Sequence, residues 1–223
     1  MFGPLNSFWE RDGFLSVLLV VLALGVFVAM PLSGSSPTGL VGELVLTAVL
    51  LSGLMVVSRR HALLRPAVAL VGATLAVGWL AQIGGHPVAA TTSLALNLVY
   101  LGAMAVVVLE RVLRDGPVTV HRINGAVAAY LLFALLFANT FALVEQVGPG
   151  SFNGPVGPSG WGGFLYFSQV TLFTVGYGDI TPVAAGARSL AMLEGLIGQL
   201  FPAVLLARLV ALEIEDRRSK TRP

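Results

Sequence analysis

The sequence predicts an all-α membrane protein: six transmembrane helices, with a re-entrant helix and loop between the fifth and the sixth. Three observations predict it. Of 223 residues, 56% are hydrophobic and 11% charged, at a mean hydropathy of +0.88, whereas a soluble domain carries about a quarter charged residues. Six apolar stretches each approach the ~20 residues that a bilayer-spanning helix needs. A seventh, residues 161–173, is apolar enough to enter a bilayer but too short to cross it. The 13 basic and 11 acidic side chains could not cover a soluble surface of this size without leaving large apolar patches. A disordered chain is excluded by the same numbers, since disorder needs low hydrophobicity and high charge.

In chain order the spans are expected at roughly 14–32, 38–58, 66–83, 92–113, 122–147 and 184–212. None alternates with period two, which argues against a transmembrane β-barrel. The first stretch is read as a helix rather than a cleaved leader, because Glu10 and Asp12 offset the positive charge such a leader carries ahead of its apolar core. Turn chemistry separates the spans: Pro31 to Pro37, Arg65-Pro66, Gly84 to Pro87, and Asp115-Gly116-Pro117. The Gly/Pro-rich stretch 148–160 reads as loop throughout, with Ser159 as N-cap of the short helix that follows. No internal repeat marks the inverted halves of a transporter.

Charge placement orients the spans. Arg59, Arg60 and Arg65 are assigned between spans two and three, and Arg111, Arg114 and Arg122 between four and five. Arg208, Arg217, Arg218, Lys220 and Arg222 fall at or past the end of span six, and Arg11 precedes span one. The loops at 31–38 and 84–91 hold no Lys or Arg. Of the 13 basic residues, all but Arg188 therefore fall on one side, and both termini are expected in the cytoplasm of a plasma-membrane protein. Lys220 is the only lysine, a bias pointing to a GC-rich bacterial genome. A pI of 9.4 made by scattered arginines gives no basic face, so nucleic acid is not an expected partner. The absence of cysteine excludes disulfides and thiolate metal sites. Trp9, Trp79, Tyr100 and Trp161 fall near span ends, where an aromatic belt is expected.

After the short helix stands Thr174-Val175-Gly176-Tyr177-Gly178-Asp179. Non-helical backbone at membrane depth is tolerated only where protein buries it or where it lines a water-filled path. Glycines at 176 and 178 adopt positive φ without steric cost, while Val and Tyr prefer negative φ. Alternating the two along an extended strand turns successive carbonyls to one side. The carbonyls of Thr174, Val175, Gly176 and Tyr177, with the Thr174 hydroxyl, would form a ladder of oxygens, the side chains of Val175 and Tyr177 wedged behind it. One ladder cannot surround an ion; about four around an axis replace the hydration shell of a large monovalent cation.

These residues resemble the selectivity filter of tetrameric potassium channels, and the resemblance covers about 122–213. It implies a homotetramer conducting K+ passively, with K+ at Thr174, Val175, Gly176 and Tyr177, Gly178 completing the filter, and no cofactor beyond the permeant ion. It further implies a hydrogen bond from Tyr166 to Asp179 behind the filter, a gating hinge at Gly198 weakened further by Pro202, and Gln199 and Leu206 on a cavity-facing stripe. Phe173 departs from the pattern, which places a small hydroxyl residue before the filter threonine. Glu194 lies about ten residues inside span six, where a carboxylate is costly unless paired; Ser168, Gln169 and Thr171 are its expected partners, in support of the filter. Glu43 in span two poses the same question.

The domains are expected at 1–115 (four helices), 116–213 (pore) and 214–223 (short cytoplasmic tail). The first resembles a voltage-sensing domain in position only, because residues 92–108 contain neither Arg nor Lys. With no charge to move through the field, voltage gating is not expected. Glu213 and Arg217, at i,i+4 spacing, would extend the last helix slightly. The tail is too short for a nucleotide- or calcium-binding domain, which leaves ligand gating to the membrane part or a separate regulatory subunit. The protein is not expected to be an enzyme. Two other readings compete: a subunit of a potassium-uptake transporter, and a non-conducting sensor or scaffold with a pore fold.

Overall fold

A computed structural model describes residues 13–29, 40–57, 61–84, 87–114, 119–156 and 161–221. The helices are α1 (Gly13–Leu24, continued by a π-helical turn Gly25–Ala29), α2 (Leu40–Val57), α3 (His61–Gly84), α4 (Pro87–Val112), α5 (Val120–Val147), α6 (Trp161–Leu172) and α7 (Ala185–Thr221). Two short strands, β1 (Phe152–Asn153) and β2 (Thr181–Pro182), complete the described elements. Four segments are long and apolar enough to cross a membrane: Leu64–Ala81, Pro87–Val112, Val120–Val147 and Ala185–Leu212. Gly13–Val28 and Leu44–Met55 are shorter apolar helices.

α5 is the helix on which the others converge, packing against α1, α4, α6 and α7. Its sequence explains this. Gly125, Ala126, Ala128, Ala129, Ala134 and Ala138 are buried on several faces, and small residues let helix backbones approach closely in a membrane protein. A Cβ at Gly125 would lie 2.8 Å from Leu15 Cδ1, so α1 sits directly on that glycine. Thr119 caps the helix start, its hydroxyl accepting from the Arg122 amide. Arg122 is buried, and its guanidinium donates to the Val112 carbonyl at 2.8 Å and to the Arg114 carbonyl. The unsatisfied C-terminal carbonyls of α4 thus find their donor on α5. Within the apolar interior, Asn139 Nδ2 donates to Leu94 O at 2.6 Å and ties α5 to α4.

One core runs through this arrangement. Leu15, Leu18 and Leu22 of α1 meet Val49 and Leu50 of α2, Leu101 and Met104 of α4, and Leu132 and Leu135 of α5. A second cluster is aromatic and lies nearer β1: Phe137, Phe141, Phe152, Phe164 and Phe167, with ring centroids 5.0–6.0 Å apart and mostly edge-to-face. The 1–115 and 116–213 divisions share the first core across the chain boundary.

Three expectations are corrected here. Arg65 lies inside α3, which starts at His61, so it is not in a loop before Pro66. Residues 148–160 are not loop throughout, because β1 pairs antiparallel with β2, Phe152 opposite Pro182 and Asn153 opposite Thr181. Tyr100 is no belt residue: it is buried and donates to Leu50 O at 2.6 Å, held by close approach of α2 at Gly53, where a Cβ would meet its hydroxyl. The last helix runs on to Thr221. Trp9, Ser159 and the side chains of Glu43, Glu213 and Arg217 lie outside the described residues.

Candidate functional site

α6 ends where its hydrogen-bond ladder tightens. The Phe173 amide still reaches Gln169 O at 2.9 Å, but the Thr174 amide takes the nearer Thr171 O at 3.0 Å. The amides of Val175 and Gly176 then fold back onto one acceptor, Val170 O, at 2.9 and 3.2 Å. The backbone donors of this stretch are spent on the end of α6. Among the described residues no backbone amide donates to the carbonyls of residues 174–177.

The conformation alternates along the segment. Thr174, Gly176 and Gly178 have φ of 58°, 64° and 78°, while Val175 and Tyr177 between them do not enter the positive region. The two glycines are where the sequence placed them for this purpose. Thr174 is the addition: a β-branched residue in the left-handed region is strained, by about 1–3 kcal/mol, and such strain persists only where its surroundings over-determine it. Residues 174–179 are exposed on the single chain. Val175 and Tyr177 are 49% and 73% exposed on the single chain.

Both ends of the segment are anchored. Tyr166 Oη donates to Asp179 Oδ2 at 2.8 Å, and the Ile180 amide donates to Asp179 Oδ1 at 3.1 Å. The bond to Asp179 is the main reason that the Tyr166 phenol titrates above its ordinary value. Ile180 is buried in the aromatic cluster, and β2 follows it onto β1. Gly154, at φ +116°, lies against this turn so closely that a Cβ would stand 2.9 Å from Ile180 Cα. Its loop is organised by Glu145, which accepts from the amides of Gly150 at 2.8 Å and Phe152 at 3.2 Å. Arg188 Nε donates to Pro182 O at 3.2 Å.

The other face of α6 rests on α5 and α7. Ser168 is fully buried, its hydroxyl 2.8 Å from Ala134 O and 2.5 Å from Glu194 Oε1. Of the three partners expected for Glu194, Ser168 is the one it meets. Gly198 is buried where α7 crosses the end of α6, and a Cβ there would overlap the Leu172 carbonyl. Tyr130 of α5 reaches the same point, its hydroxyl 2.8 Å from Leu172 O and 3.1 Å from Gly198 O. Its ring stacks on Phe173 at 5.5 Å and on Phe201 at 5.7 Å. Phe173, the departure from the resembled pattern, therefore has a partner that a small hydroxyl residue would leave uncovered. Gln199, Pro202 and Leu206 are exposed on α7, away from α6. The helix passes through Gly198 and Pro202 without interruption.

Sequence reading missed Tyr130, Phe152, Glu145 and Asn139. Tyr130 and Asn139 stand as isolated polar groups in an otherwise apolar span, and Phe152 is the aromatic in a Gly/Pro-rich loop. Those contrasts were the available signals.

The assembled site is a row of unpaired carbonyl oxygens at the end of a short helix, braced by two long ones. Comparison with known proteins agrees with that class. Residues 126–214, from within α5 to within α7, match a family model described as ion channel. Among relatives, Protein LctB of Bacillus caldotenax is 50% identical over 46 residues, 21% of this chain and 34% of that protein. Protein LctB of Geobacillus stearothermophilus is 52% identical over 46 residues, with the same coverage. Two pore potassium channel c of Oryza sativa subsp. japonica is 42% identical over 64 residues, 28% of this chain and 14% of that protein. The matches thus span about a third or less of each relative. No solved structure matches the chain.

Proposed function

We propose that this chain is the subunit of a potassium-selective channel of the plasma membrane, not intrinsically gated by voltage. Four copies assemble so that their 174–178 segments face one axis, K+ being the permeant ion. The observation that carries the reading is the alternation of φ from Thr174 to Gly178 combined with carbonyls that no backbone amide occupies. Such oxygens can exchange for the hydration shell of a dehydrating cation. α6 would act as the re-entrant pore helix. Its C-terminal partial negative charge, near Leu172, favours a cation at the inner end of the filter.

Assembly also accounts for exposed surface. Only 6% of the Ala185–Leu212 window is buried in one chain, against 61% for α5. Met192, Leu196, Leu200 and Val204 recur every fourth residue on the exposed side of α7. In a tetramer this face, with Gln199 and Leu206, borders neighbouring inner helices and the cavity. Val175 and Tyr177 would find their support on adjacent subunits. α1 to α4 with the pore region give six spans and cytoplasmic termini, and their shared core makes the four-helix part a brace of α5.

The test is the reversal potential of the purified protein in planar bilayers under a potassium/sodium gradient. The wild type is expected to reverse near the potassium equilibrium potential. Gly176→Asp, which puts a carboxylate at a φ of +64° in the carbonyl row, is expected to abolish the current while the protein still inserts. A sodium-permeant or silent wild type would overturn selective conduction.

A further inference from the structure

An α-helix carbonyl accepts from the amide four residues on. For Gly198 that residue is Pro202, which has no N–H, so the Gly198 carbonyl has no donor within its own helix. The donor present is the Tyr130 hydroxyl, 3.1 Å away on α5. The same hydroxyl lies 2.8 Å from Leu172 O, in the last turn of α6 and two residues before Thr174. One phenol carries one proton, so the two carbonyls compete for it. The site allows no slack: Gly198 is in van der Waals contact with the Leu172 carbonyl group, which a Cβ would displace. The Tyr130 ring is meanwhile held between Phe173, next to the filter, and Phe201, next to the proline, with Phe201 also edge-on to Phe133.

We infer that Tyr130 is a positioning residue that couples bending of α7 at Pro202 to the base of the filter, by sharing its hydroxyl proton between the Gly198 and Leu172 carbonyls. This rests on the conducting reading given above. When α7 bends at Pro202, the Gly198 carbonyl moves relative to the phenol, and the share of the proton held by Leu172 O changes with it. Leu172 O belongs to the turn from which Val175 and Gly176 hang by their bonds to Val170 O. A buried carbonyl left without a donor is costly enough to shift a two-state equilibrium by roughly tenfold. The coupling needs both features. A phenol without the proline would face a satisfied carbonyl, and a proline without the phenol would leave an orphan.

The experiment is a double-mutant cycle on the full chain in planar bilayers with Tyr130→Phe, Pro202→Ala and both together. Tyr130→Phe keeps both ring contacts and removes only the hydroxyl. Pro202→Ala restores the helical donor to Gly198 O. Each single variant is expected to change the ratio of open to closed dwell times about tenfold without moving the reversal potential. The effect of Tyr130→Phe is expected to differ between the wild type and the Pro202→Ala background, because the hydroxyl serves two carbonyls in the first and Leu172 O alone in the second. Additive effects, or a change in melting temperature without a change in dwell times, would overturn the coupling. If the wild type itself carries no potassium-selective current, conduction falls. The melting temperatures of the same four purified proteins then decide the shared bond: non-additive shifts support it and additive shifts overturn it.

Discussion

At the scale of residues, the segment 174–179 works by disposing of donors. The amides of Val175 and Gly176 are tied to Val170 O, and Asp179 is tied to Tyr166 and to the Ile180 amide. Among the described residues no backbone amide donates to the carbonyls of 174–177, and positive φ at Thr174, Gly176 and Gly178 alternates with Val175 and Tyr177, which do not enter that region. Thr174 at φ 58° is the strained member, at the end nearest Leu172. Removing the Tyr166 hydroxyl should loosen the outer end alone. Tyr166→Phe is expected to shorten single-channel bursts about threefold, the weight of one solvent-exposed hydrogen bond, while leaving the reversal potential in place. Unchanged bursts would mean that Asp179 is held by the Ile180 amide without help from Tyr166. The positive φ of Gly176 and Gly178 was legible in the sequence; that of Thr174 was not, because a β-branched residue disfavours it and only its surroundings hold it there.

At the scale of elements, two glycines of α7 have opposite roles that their spacing does not reveal. Gly195 has open space around its Cα, whereas Gly198 abuts the Leu172 carbonyl. Gly195→Ala is therefore expected to raise stability by about 0.5–1 kcal/mol, the usual gain in a helix interior. Gly198→Ala is expected to cost about 1–3 kcal/mol through overpacking. Melting temperatures of the two variants in detergent should move in opposite directions. A rise in both would show that α7 separates from α6 there without cost. Resemblance marks Gly198 as a hinge; in this chain it also packs closely against the Leu172 carbonyl, four residues before Pro202. Glu194, on the same helix, meets Ser168, whose hydroxyl also lies 2.8 Å from Ala134 O of α5.

At the scale of the whole molecule, α5 contributes to both cores, and of the four preceding helices α1 and α4 pack directly on it. Arg122 and Asn139 fasten it to α4 at two depths. At the same end of α4, Arg208 of α7 donates to Leu113 O at 2.7 Å. The charges within α4 are Glu110 and Arg111, in its last turn. A charge crossing the membrane field couples by about 2.3 kcal/mol per 100 mV, so a helix without charge in its span has almost nothing to couple. The conductance–voltage relation of the reconstituted protein is accordingly expected to correspond to less than about one gating charge. A steep relation would require a sensor outside α4.

What the sequence determined by itself is local: the apolar spans, the uncharged fourth helix, the short helix and the hexapeptide whose alternate glycines set its shape. Each follows from composition or from contacts a few residues apart, and such contacts have a period that can be read. Tertiary structure alone decided the pairing of β1 with β2, the seat of Glu194 on Ser168, and the place of Tyr130 between two carbonyls, 42 and 68 residues away along the chain. No local period encodes a hydroxyl on one helix meeting an orphaned carbonyl on another. Pro202 creates that orphan in the sequence, but only the packing of α5, α6 and α7 determines which donor reaches it.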